Sequence, residues 1–450
     1  MKIGIWRQRI GYGVSDLACN LIWQMISLYL MFFYTDVMGL NALAISAMFV
    51  ITRVIDGITD LLVGYCIDKT STRWGKSRPY LLFGAIPFAV CAFLAFSVPD
   101  LSANGKLIYA YVTYFLLSLC YTIVNIPMAS ILPSLTSDTQ ERTALASSRM
   151  FFSFVGSTTV SSFALVLVTF FGKGNQALGF KSTMLLFGII SCVIFFISFF
   201  NTRESVQVVQ EKVTLKKALK SLTTNTPWKL FALNIVFMFG AIFIQSGALV
   251  YYFTYYVGNS SLGAVVATIS SFVPLGTNFL VPYLSKKLGK TKLFLIGSGI
   301  HIGGMVVMFL AGTTTPIIIS GAFISAFGLG LKQTIYFSMQ ADPVDYGEWK
   351  TGVNAAGTLS AVNGFVGKCA QAIAGGLSGA LLAAGGYVAN ATQTPEALFA
   401  IKSLYLIIPI LLTICSMITM KFYKLDNIYP QIKEELDARN TAAVATTNEW

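Results

Sequence analysis

Apolar stretches long enough to cross a bilayer recur from one end of this 450-residue chain to the other. A hydrocarbon core about 30 Å thick requires roughly 20 apolar residues in a helix. Such stretches fall at residues 10–35, 42–67, 79–98, 107–134, 150–171, 179–200, 228–257, 262–285, 292–311, 314–340, 356–384 and 400–422. The predicted fold class is therefore an all-α membrane protein of about twelve transmembrane helices. Only 11% of residues are charged, and mean hydropathy is +0.70; a soluble domain carries roughly a quarter charged residues.

A net charge of +12 invites a nucleic-acid reading, but its placement argues against one. Lys2, Arg7 and Arg9 precede the first span, Lys69, Arg73, Lys76 and Arg78 follow the second, and Arg142 follows the fourth. Lys212, Lys216, Lys217 and Lys220 lie between spans six and seven, and Lys286, Lys287, Lys290 and Lys292 between eight and nine. Lys350, Lys421, Lys424, Lys433 and Arg439 complete that side, while the alternate loops hold little beyond Lys106, Lys173 and Lys181. By the positive-inside rule, both termini are expected in the cytoplasm of a multi-pass protein of the inner or plasma membrane. All seven cysteines fall in or beside spans without metal-ligand spacing and read as small core residues. The first span is too long for a cleavable signal and carries Asp16. No phosphate-cradling Gly-x-x-x-x-Gly-Lys-Ser/Thr loop occurs, so energy would come from a gradient, or the protein is a passive carrier.

The chain divides at one long polar segment. Residues 1–200 and 228–425 each hold six spans, 201–227 form a linker, and 426–450 form a polar tail. A faint repeat relates the halves: a basic, Gly-containing turn separates the second and third spans of each, at Asp68–Pro79 and Leu284–Lys292. Two parallel six-span halves describe the major facilitator architecture, with the substrate expected between the halves near mid-membrane.

Charges inside the spans carry the functional signal. Asp56 and Asp60 lie on one helical face with Arg53 a turn before them. A charge near the bilayer centre costs roughly 2.5–3.5 kcal/mol on insertion scales, so it persists chiefly beside an ion or substrate path. Asp16 and Asn20 are one turn apart in span one, Thr122 and Asn125 share a face of span four, Arg149 opens span five and Lys368 sits mid-span in the eleventh. Two carboxylates with a nearby hydroxyl suit a small cation or a proton. The plainer alternative is that these groups pair with one another as locks between helices. His301, the sole histidine, reads as a packed neutral side chain.

Five patterns occur in order: Tyr34-Thr-Asp-Val-Met-Gly39, Arg53-x-x-Asp56-x-x-x-Asp60, Arg73-Trp-Gly-Lys-x-Arg-Pro79, Tyr121-Thr-x-x-Asn-Ile-Pro127 and Asp342-x-Val-Asp-Tyr-Gly-Glu348. Together they resemble the glycoside-pentoside-hexuronide:cation symporters, the group that includes the melibiose permease and the glucuronide carrier. The resemblance spans essentially the whole chain. It implies that Asp56 and Asp60 bind the coupling cation with Thr122, and act as metal ligands only if that cation is sodium. Thr59 stands where the melibiose permease has an asparagine ligand, which leaves Na+ and H+ both open. Arg149 and Lys368 match positive positions of the family's central cavity, and Tyr336 falls where a tryptophan stacks on sugar. Asn20 and Asn125 replace two sugar-holding aspartates, with Asp16 beside them in the substrate group.

Losing two carboxylates while keeping two cations favours an anionic sugar. The expectation is thus cation-coupled symport of a glycoside, with a hexuronide such as a glucuronide leading and a neutral pentoside or β-glycoside as the alternative. A transport-inactive membrane sugar sensor is the rival of a different class. No cofactor beyond the coupling ion, no enzymatic activity and no nucleic-acid partner are expected, and the carrier should work as a monomer in the lipid bilayer.

Overall fold

A computed structural model describes residues 4–70, 72–136, 139–204, 224–340, 342–352, 356–426 and 428–436. Lys2, Lys212, Lys216, Lys217, Lys220 and Arg439 of the charge pattern lie outside these described residues.

The first half is built from α1 (Ile5–Met25), α2 (Ala42–Lys69), α3 (Arg78–Ala95), α4 (Ala103–Ser130), the short α5 (Leu132–Leu135), α6 (Thr139–Gly172) and α7 (Gln176–Asn201). The second follows with α8 (Thr226–Tyr251), α9 (Ser260–Leu288), α10 (Lys290–Leu310), α11 (Thr315–Met339), α12 (Asp342–Thr351), α13 (Ala356–Ala384), α14 (Pro395–Lys402) and α15 (Ile408–Lys421). Among the described residues, 11 helical stretches are long and apolar enough to cross a membrane. Residues 10–35 are helical as well, but α1 gives way to π-helical turns at Ile26–Leu30 and Phe33–Val37, which divide that span. Local chemistry marks the starts. The side chains of Asn41, Ser102 and Asn175 accept from backbone N–H groups of the first turns of α2, α4 and α7, and Pro79 and Pro395 sit where a helix needs no donor. Outward-facing Phe279, Leu310 and Phe170 are exposed, as lipid-facing side chains are.

The chain forms two compact units. The first joins Met1–Val209 with Phe243–Phe272 and Ala372–Tyr405; the second comprises Gln210–Ile242, Val273–Gln371 and Leu406–Trp450. Within the first, α1 packs on α6 and α7, and α4 lies between α2 and α3. Within the second, α10 packs most extensively on α11 and also touches α15. The α10–α11 approach depends on absent side chains. A Cβ on Gly304 would collide with the Ser325 backbone nitrogen and lie 2.6 Å from the Gly321 carbonyl oxygen. Gly304→Leu is therefore expected to cost ~2–3 kcal/mol by forcing the helices apart, read as a lower Tm in detergent.

A carboxylate caps the helix after the basic turn in each unit. Glu204, just after α7, accepts backbone N–H bonds from Lys76 (2.8 Å), Ser77 (2.8 Å) and Arg78 (3.2 Å) at the start of α3. Asp426, just after α15, accepts from the Thr291 N–H at 2.6 Å at the start of α10. Both helices begin after a left-handed glycine, Gly75 (φ 107°) and Gly289 (φ 82°). A carboxylate placed there satisfies orphan N–H groups and meets the positive end of the helix dipole. The neighbouring charges also find partners nearby: Arg78 donates to the Phe199 and Trp74 carbonyls, and Lys290 Nζ donates to both Asp342 oxygens at 2.7 and 2.8 Å.

Candidate functional site

The first polar group lies on α2 and α4. Asp56, on a buried turn of α2, accepts from Arg53 Nη1 at 2.7 Å and from Ser118 Oγ at 2.6 Å. Asp60, one turn on, accepts from Thr122 Oγ1 at 3.1 Å. Two carboxylates four residues apart on one helix thus face two hydroxyls four residues apart on its neighbour. The Arg53–Asp56 pair is nearly dry, with side-chain exposures of 4% and 3%. Arg53 also donates to Tyr114 Oη at 2.9 Å and lies 5.2 Å over the Trp23 ring. Thr59 turns its hydroxyl onto the Asp56 backbone carbonyl at 3.1 Å.

The second group lies on α1 and α6 and repeats this ladder geometry. Arg149 Nη2 donates to Asp16 Oδ1 at 3.2 Å. Asn20 donates to Ser153 Oγ at 2.9 Å and to the Asp16 carbonyl at 2.8 Å, and accepts from Ser157 at 3.2 Å. Asn125, on α4, donates to Tyr121 Oη at 2.8 Å. Tyr121 in turn stacks on Trp23 with centroids 4.6 Å apart. Trp23, on α1, therefore touches both Arg53 of the first group and Tyr121, the partner of Asn125.

Of the predicted residues, eight come together in the first unit: Asp16, Asn20, Asp56, Thr59, Asp60, Thr122, Asn125 and Arg149. Lys368 and Tyr336 belong to the second. Lys368 is half-buried in α13. Tyr336 is buried in a hydrophobic core, stacked on Phe231 at 5.0 Å and edge-on to Phe239, and accepts from Gln340 at 3.0 Å. Protein partners occupy its ring in this structure. His301 is buried against Ser325, bonded to its hydroxyl at 2.8 Å. Ser118, Tyr114 and Trp23 were not legible as site members, although Ser118 stands one turn before Thr122 and could have been found by that spacing. Lys332 was missed as well; it is wholly buried in α11, and its Nζ has no hydrogen-bond partner among the described residues.

Charges and hydroxyls facing one another across adjacent membrane helices are the equipment of a secondary carrier, and the protein is a transporter rather than an enzyme. Residues 11–427 match the family model described as MFS/sugar transport protein. The chain is 40% identical over 442 residues to the isoprimeverose transporter of Lactiplantibacillus pentosus, covering 97% of this chain and 92% of that one. It is 31% identical to the glucuronide carrier protein homolog of Escherichia coli strain K12, covering 96% of each. A solved D-xylose-proton symporter superimposes with TM-score 0.64 at 14% identity, over 92% of this chain and 96% of the other; that likeness shows the fold alone. The chain belongs to the MFS/sugar transport family, as a glycoside-pentoside-hexuronide:cation symporter.

Proposed function

We propose that this carrier takes up a neutral glycoside together with one cation, with Asp60 as the group that takes the cation. The observation that carries the reading is the pair of α2 carboxylates set against the Ser118 and Thr122 hydroxyls of α4. Asp56 is also held by Arg53 in a buried ion pair, and Asp60 accepts from Thr122. Thr59 donates its hydroxyl to the Asp56 backbone carbonyl and brings neither a carboxylate nor an amide oxygen to this turn. That arrangement supports a proton as the coupling ion, with sodium as the second reading; Arg53 serves as the resident counter-charge beside Asp56 in a dry setting.

The sugar preference moves from hexuronide to neutral glycoside for a stated reason. Arg149 is neutralised by Asp16 across α1 and α6, so the net positive charge inferred for an anionic sugar is reduced. Asn20, Asn125 and the serines of α6 present the amides and hydroxyls that hydroxyl-rich ligands need, and Trp23 and Tyr121 supply aromatic faces. The relative named for isoprimeverose is also the more similar of the two sugar-named relatives above. The hexuronide reading is kept alive by Lys368 and by the relative named for glucuronide. The loop charges support a cytoplasmic position for both termini, and the proposed working unit is the monomer.

The test is uptake of a panel of labelled glycosides into vesicles, under an imposed proton gradient, a sodium gradient or neither. Neutral xylosides or β-glycosides should accumulate under the proton gradient, with glucuronides competing at least tenfold less well. Glucuronides competing best would reverse the sugar assignment, and accumulation only under sodium would reverse the ion. Absence of any counterflow would convert the reading to a sensor.

A further inference from the structure

The Tyr34–Gly39 motif takes no part in either polar group, yet it holds a carboxylate bonded by three side-chain hydroxyls. Asp36 is buried at the end of α1 remote from the basic residues Arg7 and Arg9. Tyr387 Oη donates to both of its oxygens, at 2.6 and 2.7 Å, and Thr35 Oγ1 donates to Oδ2 at 2.6 Å. Tyr255 Oη donates to Oδ1. Asn390 donates its side-chain amide to the Asp36 carbonyl at 2.7 Å and its backbone N–H to Tyr255 Oη at 3.0 Å. Tyr251 Oη is bonded to Thr35 at 2.7 Å, and the Tyr387 ring lies edge-on to Tyr251 and Tyr255.

All these residues belong to the first unit. They tie together three places distant in sequence: the end of α1, the π-helical end of α8 (Tyr252–Tyr256) and the turn between α13 and α14. Among the described residues, no lysine or arginine forms an ion pair with Asp36. Burial, then the neighbouring carboxylate, holds the Tyr387 hydroxyl far above its ordinary range, so it stays a donor. Hydroxyl-to-carboxylate bonds are charge-assisted and strong while water is excluded, and they exchange readily for water once the cluster is wetted. That combination suits a contact which must be firm when closed and still reversible.

We propose that Asp36, Tyr255 and Tyr387 form a latch closing the end of the carrier remote from its basic loops, and that this latch breaks and re-forms in each transport cycle. Ends of α1 and α8 that are π-helical rather than α-helical fit such a role, because π turns place side chains off the regular helical register at functional positions.

Hydrogen exchange of the purified protein tests the latch without reference to the substrate. Asp36→Ala should speed amide exchange on the order of ten- to a hundredfold in residues 33–40, 251–259 and 385–394, with α10 and α11 unchanged. Tyr387→Phe keeps the ring and should give a smaller acceleration in the same three segments, which preserves the test if the alanine variant fails to fold. Net uptake by Asp36→Ala should fall at least tenfold. Wild-type exchange rates in the three segments, an acceleration spread evenly over the whole chain, or wild-type uptake would each overturn the proposal. Uptake of no glycoside by the unaltered protein would instead sink the transport assignment and leave the exchange result standing.

Discussion

Asp60→Asn is expected to leave the carrier folded and able to exchange labelled sugar across the membrane, while cation-driven accumulation falls by about tenfold to a hundredfold. The amide is isosteric with the carboxylate, and its oxygen can still accept from Thr122 Oγ1, at 3.1 Å in the native protein. What disappears is the charge that a proton or sodium ion would meet; losing one charged partner from such a site is worth ~1.5–3 kcal/mol. Asp56→Asn should behave differently. It strips Arg53 of its carboxylate in a setting where the pair is only 3–4% exposed. Removing one member of a buried pair costs ~3–5 kcal/mol, so this variant should lose stability as well as coupling. An Arg53→Gln/Asp56→Asn double variant separates the two effects: Tm should recover toward wild type and accumulation should not. Full accumulation by Asp60→Asn, measured beside sugar counterflow in the same vesicles, would falsify the assignment of the cation to Asp60.

The second large effect concerns which sugar is carried. Asp16→Asn leaves Arg149 with its full charge and no carboxylate at 3.2 Å. The pair is partly open, with exposures of 25% for Arg149 and 11% for Asp16, so solvent discounts its worth to ~1 kcal/mol. The neutral glycoside should then bind severalfold more weakly, because a ligand without charge must displace water from an Arg149 guanidinium that Asp16 no longer neutralises. A glucuronide should gain affinity, since its carboxylate can take the place that Asp16 vacated. Competition assays with one neutral and one anionic glycoside read the switch directly. Parallel losses for both sugars would show the pair to be a structural lock with no part in selection.

These expectations rest on features that differ in how visible they are in a sequence. The membrane helices were legible because apolarity over twenty residues is a local property, and the predicted spans at 42–67, 179–200 and 356–384 meet helices at Ala42–Lys69, Gln176–Asn201 and Ala356–Ala384. The first helix was legible in extent but not in kind, since nothing in its composition signals the π turns. Asp56 and Asp60 stood out because charge is rare in a span. Arg53 was visible beside them, but whether it locks Asp56 or merely lies near it depends on rotamers set by Tyr114 and Trp23. Arg149 and Asp16 sit 133 residues apart, so their mutual cancellation, which redirects the sugar preference, exists only once α1 lies on α6. Tyr336 illustrates the opposite limit. Its position in the family pattern suggested a sugar platform, while its neighbours Phe231 and Phe239 already cover it. Asp36 was part of a quoted motif, yet its tyrosine partners lie 219 and 351 residues away.

The carboxylate caps on α3 and α10 bear on how such a chain is made. Glu204 leaves the ribosome about 126–128 residues after the amides it satisfies, and Asp426 emerges 135 residues after Thr291. Until then, the third helix of each half enters the membrane with its leading N–H groups unclaimed by that carboxylate. The two caps therefore cannot form before α7 and α15, respectively, have been delivered.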